Sequence, residues 1–427
     1  MQNDAFFALK GKNFDGHNFV SEAIKKGASV AIVDNNYEGN ELNLLRVNNP
    51  LETLQNLAMG HLKTTIAKRI AITGSNGKTT TKNLIASAVK SCIGEDYVIS
   101  TSGNFNNHIG LPLTAMRVKK KHKIAIFEIG TNHIGEIAYL TNIIQPHVGL
   151  ITMIGSSHLG NFSNMKSLAN EKAQLFELLK FGKFLIVNAD DPYCVSAAEK
   201  NYQSKKISFG YADWSDIKII SDIEPVIKYK DQIIKVKLNL PGKHNIKNMA
   251  AAFSIAVALN LNFEKTIFGF ESVRPYAGRL KPEFLSNGIV ILDDTYNASP
   301  ESMEAGLDTL DMYGNLEKRR KIAILGDMRE LGRFTKKKHF DVGVSCANKG
   351  VARLFTCGDY GKYYIQGALS GGISSKHLTS TANIETLIPK IISQLKSEDI
   401  VLVKGSRFAK LEILIDKLKI STSAIPD

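Results

Sequence analysis

Eight short runs of β-branched and other apolar residues recur along the chain, each closed by a small or polar residue. They are "RIAIT" (69–73), "IAIFEIG" (124–130), "VGLITMIG" (148–155), "FLIVNAD" (184–190), "IVILDDTY" (289–296), "KIAILGD" (321–327), "RLFTCGD" (353–359) and "DIVLVKGS" (399–406). Near-continuous apolar runs are what a parallel sheet covered on both faces requires. Helical patterns lie between them. After Lys78, the residues Leu84, Ile85, Ala88, Val89 and Cys92 fall on one helix face. This alternation predicts an α/β protein whose ligands sit at the carboxyl ends of the strands. The polar residues that close the strands are therefore where chemistry is to be sought.

A chain of 427 residues is too long for one core. Two break regions stand out, near 48–65 and at 271–282, "ESVRPYAGRLKP", which is rich in turn formers. Three domains are expected: a small N-terminal α/β domain over 1–49, a central parallel-sheet domain over 50–277, and a Rossmann-like α/β domain over 278–427. Residues 205–240, with their alternating "IIKVKLNL", are expected to form a small β excursion inside the central domain. No internal repeat or low-complexity segment is visible.

Composition excludes several classes. Hydrophobic residues make up 44% and charged residues 22%, as in ordinary soluble proteins. No run approaches the ~20 apolar residues that span a bilayer, and residues 1–10 lack the pattern of a secretory signal. The four cysteines, Cys92, Cys194, Cys346 and Cys357, form no CxxC pair, so neither a zinc site nor a disulfide framework is indicated. A cytoplasmic protein that does not span a membrane is expected. The net charge of +13 could serve nucleic acid, an anionic surface or an acidic substrate. The tightest basic runs, Lys119–Lys121 with Lys123 and Lys336–Lys338, lack interleaved aromatics and read as solvated faces. No nucleic-acid partner is expected, and an anionic nucleotide accounts for part of the charge.

"RIAITGSNGKTTTKNLI" reads as a strand, a Gly-rich turn and a helix start. Gly74 and Gly77 let the backbone turn its N–H groups inward around phosphate oxygens, with Ser75 and Asn76 between them. The helix N-terminus, with Thr80 in its first turn, adds the positive end of its dipole. Lys78 can reach the β- and γ-phosphates, and the Thr79 hydroxyl can bind Mg²⁺. The first Gly of the general G-x-x-x-x-G-K-[ST] pattern would fall at Ile72, so the loop is a shorter G-x-x-G-K-T. It implies a bound nucleoside triphosphate, ATP above all, without choosing a reaction. Further candidates lie at or beyond strand ends: Glu128 closes "IAIFEIG", His158 follows "VGLITMIGSS", and Lys172 lies in "ANEKAQLFELL". A strand-end Glu is ordinarily a solvated or capping residue, and a lone His is ordinarily structural. Their joint position beside the phosphate loop reverses that reading, because a hard cation prefers oxygen ligands such as Glu128 and Thr79.

Taken in order, these motifs resemble the Mur ligases, which build the peptide of bacterial cell-wall precursors. The resemblance covers nearly the whole chain. "FFALKGKNFDGHNF" (6–19) looks like the nucleotide-sugar motif, "ITGSNGKTTTK" the phosphate loop and "TSGNFNNHIGLPLT" (101–114) the substrate loop. "GKHNIKNMAAA" (242–252), "AGRL" (277–280), "DDTYNASPESM" (293–303), "ILGDMRELG" (324–332) with His339, and "VKGSR" (403–407) complete the series. "FEIGTNHIGEIAYLTNIIQPHVGLIT" (127–152) is similar to the branch that adds D-alanyl-D-alanine to UDP-N-acetylmuramoyl-tripeptide. The resemblance implies an ATP-dependent carboxylate–amine ligase working through an acyl phosphate in peptidoglycan precursor synthesis, on which cell shape and division depend. It implies a monomer with those two substrates as its partners.

Position by position, the resemblance implies that Thr79 and Glu128 hold one Mg²⁺ and that His158 holds a second, with Glu128 shared. Lys172 aligns with the lysine that many members carbamylate, which would make it a metal ligand. Asn248, Asp294, Tyr296 and Asn297 resemble nucleotide contacts, the last three also hinge residues. Arg279 resembles an arginine that reaches the γ-phosphate on closure. Lys10, Thr101, Asn104, Asn106, Asn107 and His133 fall in the substrate-binding motifs.

The chain departs from the family at three places. It reads His158-Leu159-Gly160 where the family has "HLE", and "KAQLF" replaces "KGELF". Met1 lies five residues before Phe6, whereas relatives carry a "DSR"-like stretch there that helps hold uridine. Either that strand and contact are absent, leaving a truncated N-terminal domain, or the true start lies upstream. The competing readings are a sibling Mur ligase, a folylpolyglutamate synthase-like ligase, and a non-catalytic nucleotide-binding regulatory protein. Against them stand the lack of a "DNPR"-like motif in 278–427, the nucleotide-sugar motif, and the retention of Lys78, Thr79, Glu128, His158 and Lys172 together.

Overall fold

The computed structural model describes residues 3–423 apart from 12 and 181. The N-terminal sheet contains β1 (Ala5–Phe7), β2 (Val30–Asp34) and β3 (Leu44–Val47), all parallel, in the order β1-β2-β3. Ala8, Val20, Ala31 and Val33 form its small core.

The second sheet contains β4 (Lys68–Thr73), β5 (Val98–Ser100), β6 (Ile124–Glu128), β7 (Val148–Ile151), β8 (Phe184–Asn188), β9 (Lys205–Gly210), β10 (Ile217–Ser221), β11 (Val226–Tyr229) and β12 (Gln232–Lys235). Its order is β12-β11-β10-β9-β8-β7-β4-β6-β5. Pairing is parallel from β5 to β10 and antiparallel beyond. After β4 the chain leaves to β5, returns through β6 and crosses to β7 on the opposite side of β4. The switch point, where α/β proteins bind ligands, therefore opens at the carboxyl end of β4. The registers place Glu128 and Leu150 on either side of Ile72, just below the phosphate loop.

The third sheet contains β13 (Lys281–Phe284), β14 (Val290–Asp294), β15 (Lys321–Gly326), β16 (Arg353–Cys357), β17 (Leu378–Thr381) and β18 (Ile400–Lys404). Its order is β13-β14-β18-β15-β16-β17, and only β13 is antiparallel to its neighbour. All eight apolar runs supply strands, and the central residues of these are buried as the run pattern requires. The helix Lys78–Ile93 buries Leu84, Ile85, Ala88 and Val89 as its periodicity demands.

Two expectations need correction. The break region near 48–65 is largely the helix Pro50–Lys63. Pro50 stands at its first position, where a missing N–H costs nothing, and the Asn49 side chain accepts from Leu51 and Glu52 N–H. Leu54, Ala58 and Leu62 give the helix its buried face. Residues 205–240 do not fold apart from the main sheet; β9 to β12 extend it. The strand within "IIKVKLNL" ends at Lys235, because Val236 and Leu240 turn into the core beneath it. Among the described residues no helix is long and apolar enough to cross a membrane. The basic runs are solvated: Lys121 pairs with exposed Asp96 at 2.6 Å and Lys337 with Asp341 at 2.5 Å.

Candidate active site between the second and third sheets

The phosphate loop leaves β4 at Gly74 and enters its helix at Lys78. Gly77 has φ +83°, and a Cβ there would lie 2.4 Å from Asn248 Oδ1, so only glycine fits this turn. Thr81 Oγ1 donates to the same Asn248 Oδ1 at 3.2 Å. Asn248 thus braces the loop from the helix Lys243–Ala258. Ser75 exchanges two 2.8 Å hydrogen bonds with Gly155: its hydroxyl donates to the Gly155 carbonyl and accepts from the Gly155 N–H. Lys78 folds back so that Nζ donates to the Gly74 and Ser75 carbonyls at 2.6 and 3.3 Å. Burial lowers the Lys78 pKa, with Glu128 opposing the shift and Arg279 adding to it.

Glu128 is 3% exposed at the end of β6. Its N–H donates to Thr101 Oγ1 at 3.0 Å, and its Oε1 accepts from Asn106 Nδ2 at 2.9 Å. Its Oε2 is buried without a hydrogen-bond partner. Thr101 is itself held by Lys82, whose Nζ donates to the Thr101 carbonyl at 2.7 Å.

The third sheet closes over this floor. Arg279 Nη2 donates to Thr79 Oγ1 at 3.2 Å, and the guanidinium lies over the Tyr296 ring at 4.3 Å. Buried Lys404, at the end of β18, donates to Asp294 at 2.5 Å and to the Asn297 carbonyl at 2.9 Å. Ser299 caps the helix Pro300–Leu316 and bonds Asn76 at 3.1 Å. Glu301 accepts from the Ser156 N–H and hydroxyl, both at 2.7 Å. His158, in the turn after β7, meets the carboxylate of Glu330, and that partner holds the Glu330 carboxyl below its usual pKa.

These groups enclose a cavity of about 620 Å³. Its wall gathers Ser75 to Thr80, Asn104, Asn106, Glu128, His158, Asn248, Arg279, Asp294, Tyr296 and Asn297. Other candidates lie outside that wall. Gly74 and Thr101 support it from behind. The Asn107 side chain is spent on the turn leading into the helix Gly110–Met116, accepting from the Ile109 and Gly110 N–H groups at 3.1 and 2.9 Å. The side chains of His133 and Lys10 are 75% exposed, beside Glu136 and Asp15. Lys172 is 1% exposed and has no hydrogen-bond or ion-pair partner among the described residues. Burial pushes its pKa down to about 7, with Lys78 adding to the shift and Glu171 opposing it.

Glu128 and Thr79 are hard oxygen donors lining one cavity, Glu128 has one buried oxygen without a partner, and the pair suits a Mg²⁺ ion that takes its other ligands from phosphate and water. Among the described residues no three His, Cys, Asp or Glu side chains cluster as a ready metal cage.

Family models match three successive stretches: the Mur ligase family catalytic domain over residues 1–61, the Mur ligase middle domain over 72–256, and the Mur ligase glutamate ligase domain over 278–407. The UDP-N-acetylmuramoyl-tripeptide--D-alanyl-D-alanine ligase of Bacillus subtilis is 31% identical over 98% of this chain and 90% of its own length. The chain belongs to the Mur ligase family. Among solved structures, MurF from Acinetobacter baumannii superposes with a TM-score of 0.89 at 30% identity, covering 98% of this chain and 91% of that one. The MurF ligase of Thermotoga maritima, solved in complex with ADP, gives 0.84 at 26% identity, covering 99% and 95%.

Among the cavity residues that the motifs of this Mur ligase did not single out as site groups are Lys404, Ser299, Glu301 and Asp190. Asp190 pairs with Lys247 at 2.8 Å at the end of β8. Two carried a usable signal, because Lys404 and Asp190 are charged groups that close apolar runs. Ser299 and Glu301 become visible only when the third sheet docks.

Proposed function

We propose that this chain joins D-alanyl-D-alanine to the C-terminal carboxylate of UDP-N-acetylmuramoyl-tripeptide, driven by ATP, in peptidoglycan precursor synthesis. The observation that carries this reading is the convergence of Lys78 and Glu128 from one sheet, and Arg279 from another, on a single cavity. The names of the relatives supply the substrates. Residues 1–49 would hold the nucleotide sugar, 50–277 the ATP, and 278–427 would close on both. ATP supply places the reaction in the cytoplasm.

A carboxylate is a poor electrophile, and phosphorylation gives it a leaving group. The carboxylate oxygen attacks the γ-phosphorus, ADP leaves, and an acyl phosphate forms. The amine lone pair of D-alanyl-D-alanine then attacks the acyl carbon. The nitrogen of the tetrahedral intermediate gives up a proton to solvent or to the departing phosphate, the C–O bond breaks, and phosphate leaves with the electron pair. Negative charge is spread over the phosphoryl oxygens throughout. Lys78 and the N–H groups at the helix start answer it from below, and Arg279, released from Thr79, answers it from above. Asn106 engages one Glu128 oxygen and leaves the other without a partner, available to a cation. Mg²⁺ held by Thr79 and Glu128 would supply further charge neutralisation. His158 and a carbamylated Lys172 would hold a second ion. The Lys172 pKa near 7 leaves much of it a neutral amine, the form that reacts with CO₂. Gly103, Asn104 and Asn106 are the substrate-loop residues that line the cavity, and Lys10, Thr101, Asn107 and His133 are assigned to the remainder of the substrate or its support.

The test is ATP-dependent phosphate release with both substrates and with each omitted in turn. Release that does not need D-alanyl-D-alanine would sink the assignment.

A further inference from the structure

The turn after β7 meets the loop after β15 with almost no space between them. Gly160 N–H donates to the Glu330 carbonyl at 2.7 Å. A Cβ on Gly160 would lie 2.6 Å from Gly332 N and 2.8 Å from Glu330 O. His158, Glu330 and Gly332 all have left-handed backbones, with φ of 65°, 62° and 54°. For His158 and Glu330 this is a strained conformation that persists where the surroundings over-determine it. The surroundings here do so. Leu159, Phe162 and Leu168 form an apolar cluster closed by Phe334, which brings the two loops into one small core.

Within this seam His158 Nδ1 is buried and makes no hydrogen bond of regular geometry, and the Glu330 carboxylate, in ion-pair contact, is the polar group against it. His158 also lines the cavity. With Nδ1 committed to Glu330, Nε2 is the ring nitrogen left for the cavity. We infer that Glu330 is a positioning residue: it accepts a hydrogen bond from His158 Nδ1–H and so fixes the ring as the tautomer whose bare Nε2 faces the cavity. A carboxylate behind an imidazole sets both its orientation and its tautomer and makes the other nitrogen a better metal ligand. In this chain the carboxylate comes from the third sheet, while the imidazole belongs to the second. The ring is therefore set when the two units dock, and docking completes the cavity. The metal half of this inference rests on the ligase reading; the tautomer does not.

The experiment uses the full chain with ¹⁵N-labelled histidine and long-range ¹H–¹⁵N correlation spectra, without nucleotide. His158 in the unsubstituted protein is expected to carry its proton on Nδ1. Glu330→Ala is expected to move it toward Nε2, whereas Glu330→Gln, which keeps an acceptor oxygen, is expected to retain it. The Glu330 side chain is 48% exposed, so its removal opens no core. Should the alanine variant fail to fold, Glu330→Asn, which suits a left-handed backbone, replaces it. In parallel, Mn²⁺ affinity measured with a non-hydrolysable ATP analogue is expected to fall about tenfold in the alanine variant. An unchanged His158 tautomer in that variant overturns the inference, whatever happens to activity. A loss of Mn²⁺ affinity without a tautomer change overturns it equally. Absence of ligase activity in the unsubstituted protein would strike the functional reading and leave the tautomer result standing.

Discussion

Arg279 and Thr79 are 200 residues apart in sequence and are joined by a 3.2 Å hydrogen bond that crosses from the third sheet to the phosphate loop. The guanidinium also lies over the Tyr296 ring. Arg279 is thus parked on the hydroxyl that a metal ion would need, in the cavity that the phosphate loop lines. Arg279→Ala is expected to lower kcat by about 10²-fold, the typical loss when one donor to developing charge is removed, with a smaller change in KM for ATP. Arg279→Lys should not restore it, because an ammonium offers neither the planar fork nor the stacking face. Phosphate-release kinetics decide: a kcat within threefold of the original would reduce Arg279 to a staple between the units.

Lys78 spends its donors on two carbonyls of its own loop. Those bonds shape the loop locally and hold no core together. Lys78→Ala should bring turnover below about one per cent, in keeping with the loss of a positive charge from a phosphoryl-transfer site, while the urea midpoint moves little. Normal turnover would refute the phosphate role, and a collapsed midpoint would show that the lysine is needed for folding instead.

Gly160→Ala places a methyl group inside the seam with Gly332. Overpacking of this kind costs roughly 1–3 kcal/mol, and the cheapest relief is for the third sheet to move away. Small-angle scattering should show a larger radius of gyration, with each unit still folded and kcat reduced. An unchanged scattering profile with full activity would mean that the loops absorb the methyl group locally.

His339 is fully buried; its Nε2 accepts from Met328 N–H at 3.0 Å, so its proton sits on Nδ1 toward the Thr335 carbonyl. Burial lowers its pKa to about 4. The unfolded chain, with an ordinary histidine pKa near 6.5, binds more protons between those values. The stability from this site is therefore whole above pH 6.5 and is lost as pH falls toward 4, by ~3 kcal/mol in all. Urea unfolding at pH 7.5 and 5 should show His339→Gln losing ~2 kcal/mol less than the parent across that interval. His147 and His244, also lowered to about 4 by burial, titrate in both proteins and cancel in the comparison. Equal losses would mean that His339 is not neutral in the fold.

Lys172, with its pKa near 7, should be modified by CO₂. Stripping CO₂ from the buffer is expected to lower activity, and bicarbonate to restore it. Lys172→Ala should be inactive and regain part of its rate with small carboxylates. Full activity of that variant without rescue would reject the carbamate.

Most of the fold was legible because the strands are buried on both faces and so read as uninterrupted apolar runs. The phosphate loop was legible because its chemistry is local, from Gly74 to Thr80. The helix Pro50–Lys63 was not, since a proline at a first helical position looks like a break. Asn107 and His133 fall in the substrate-binding motifs, but the first spends its side chain on the turn ahead of a helix and the second is exposed to solvent. The groups that close the site were harder still. Ser299 meets Asn76 across 223 residues, and Glu301 meets Ser156 across 145. No periodicity reports such pairs, because they depend on how two finished sheets dock.

The contact between Gly160 and Gly332 also bears on how this protein can change over generations. Two backbones meet there with no side chain between them. Every substitution at a glycine adds at least one carbon, so neither position can be adjusted by a smaller step. The seam can be broken by mutation, but it cannot be tuned, and variation in how the units dock has to arise in the residues around it.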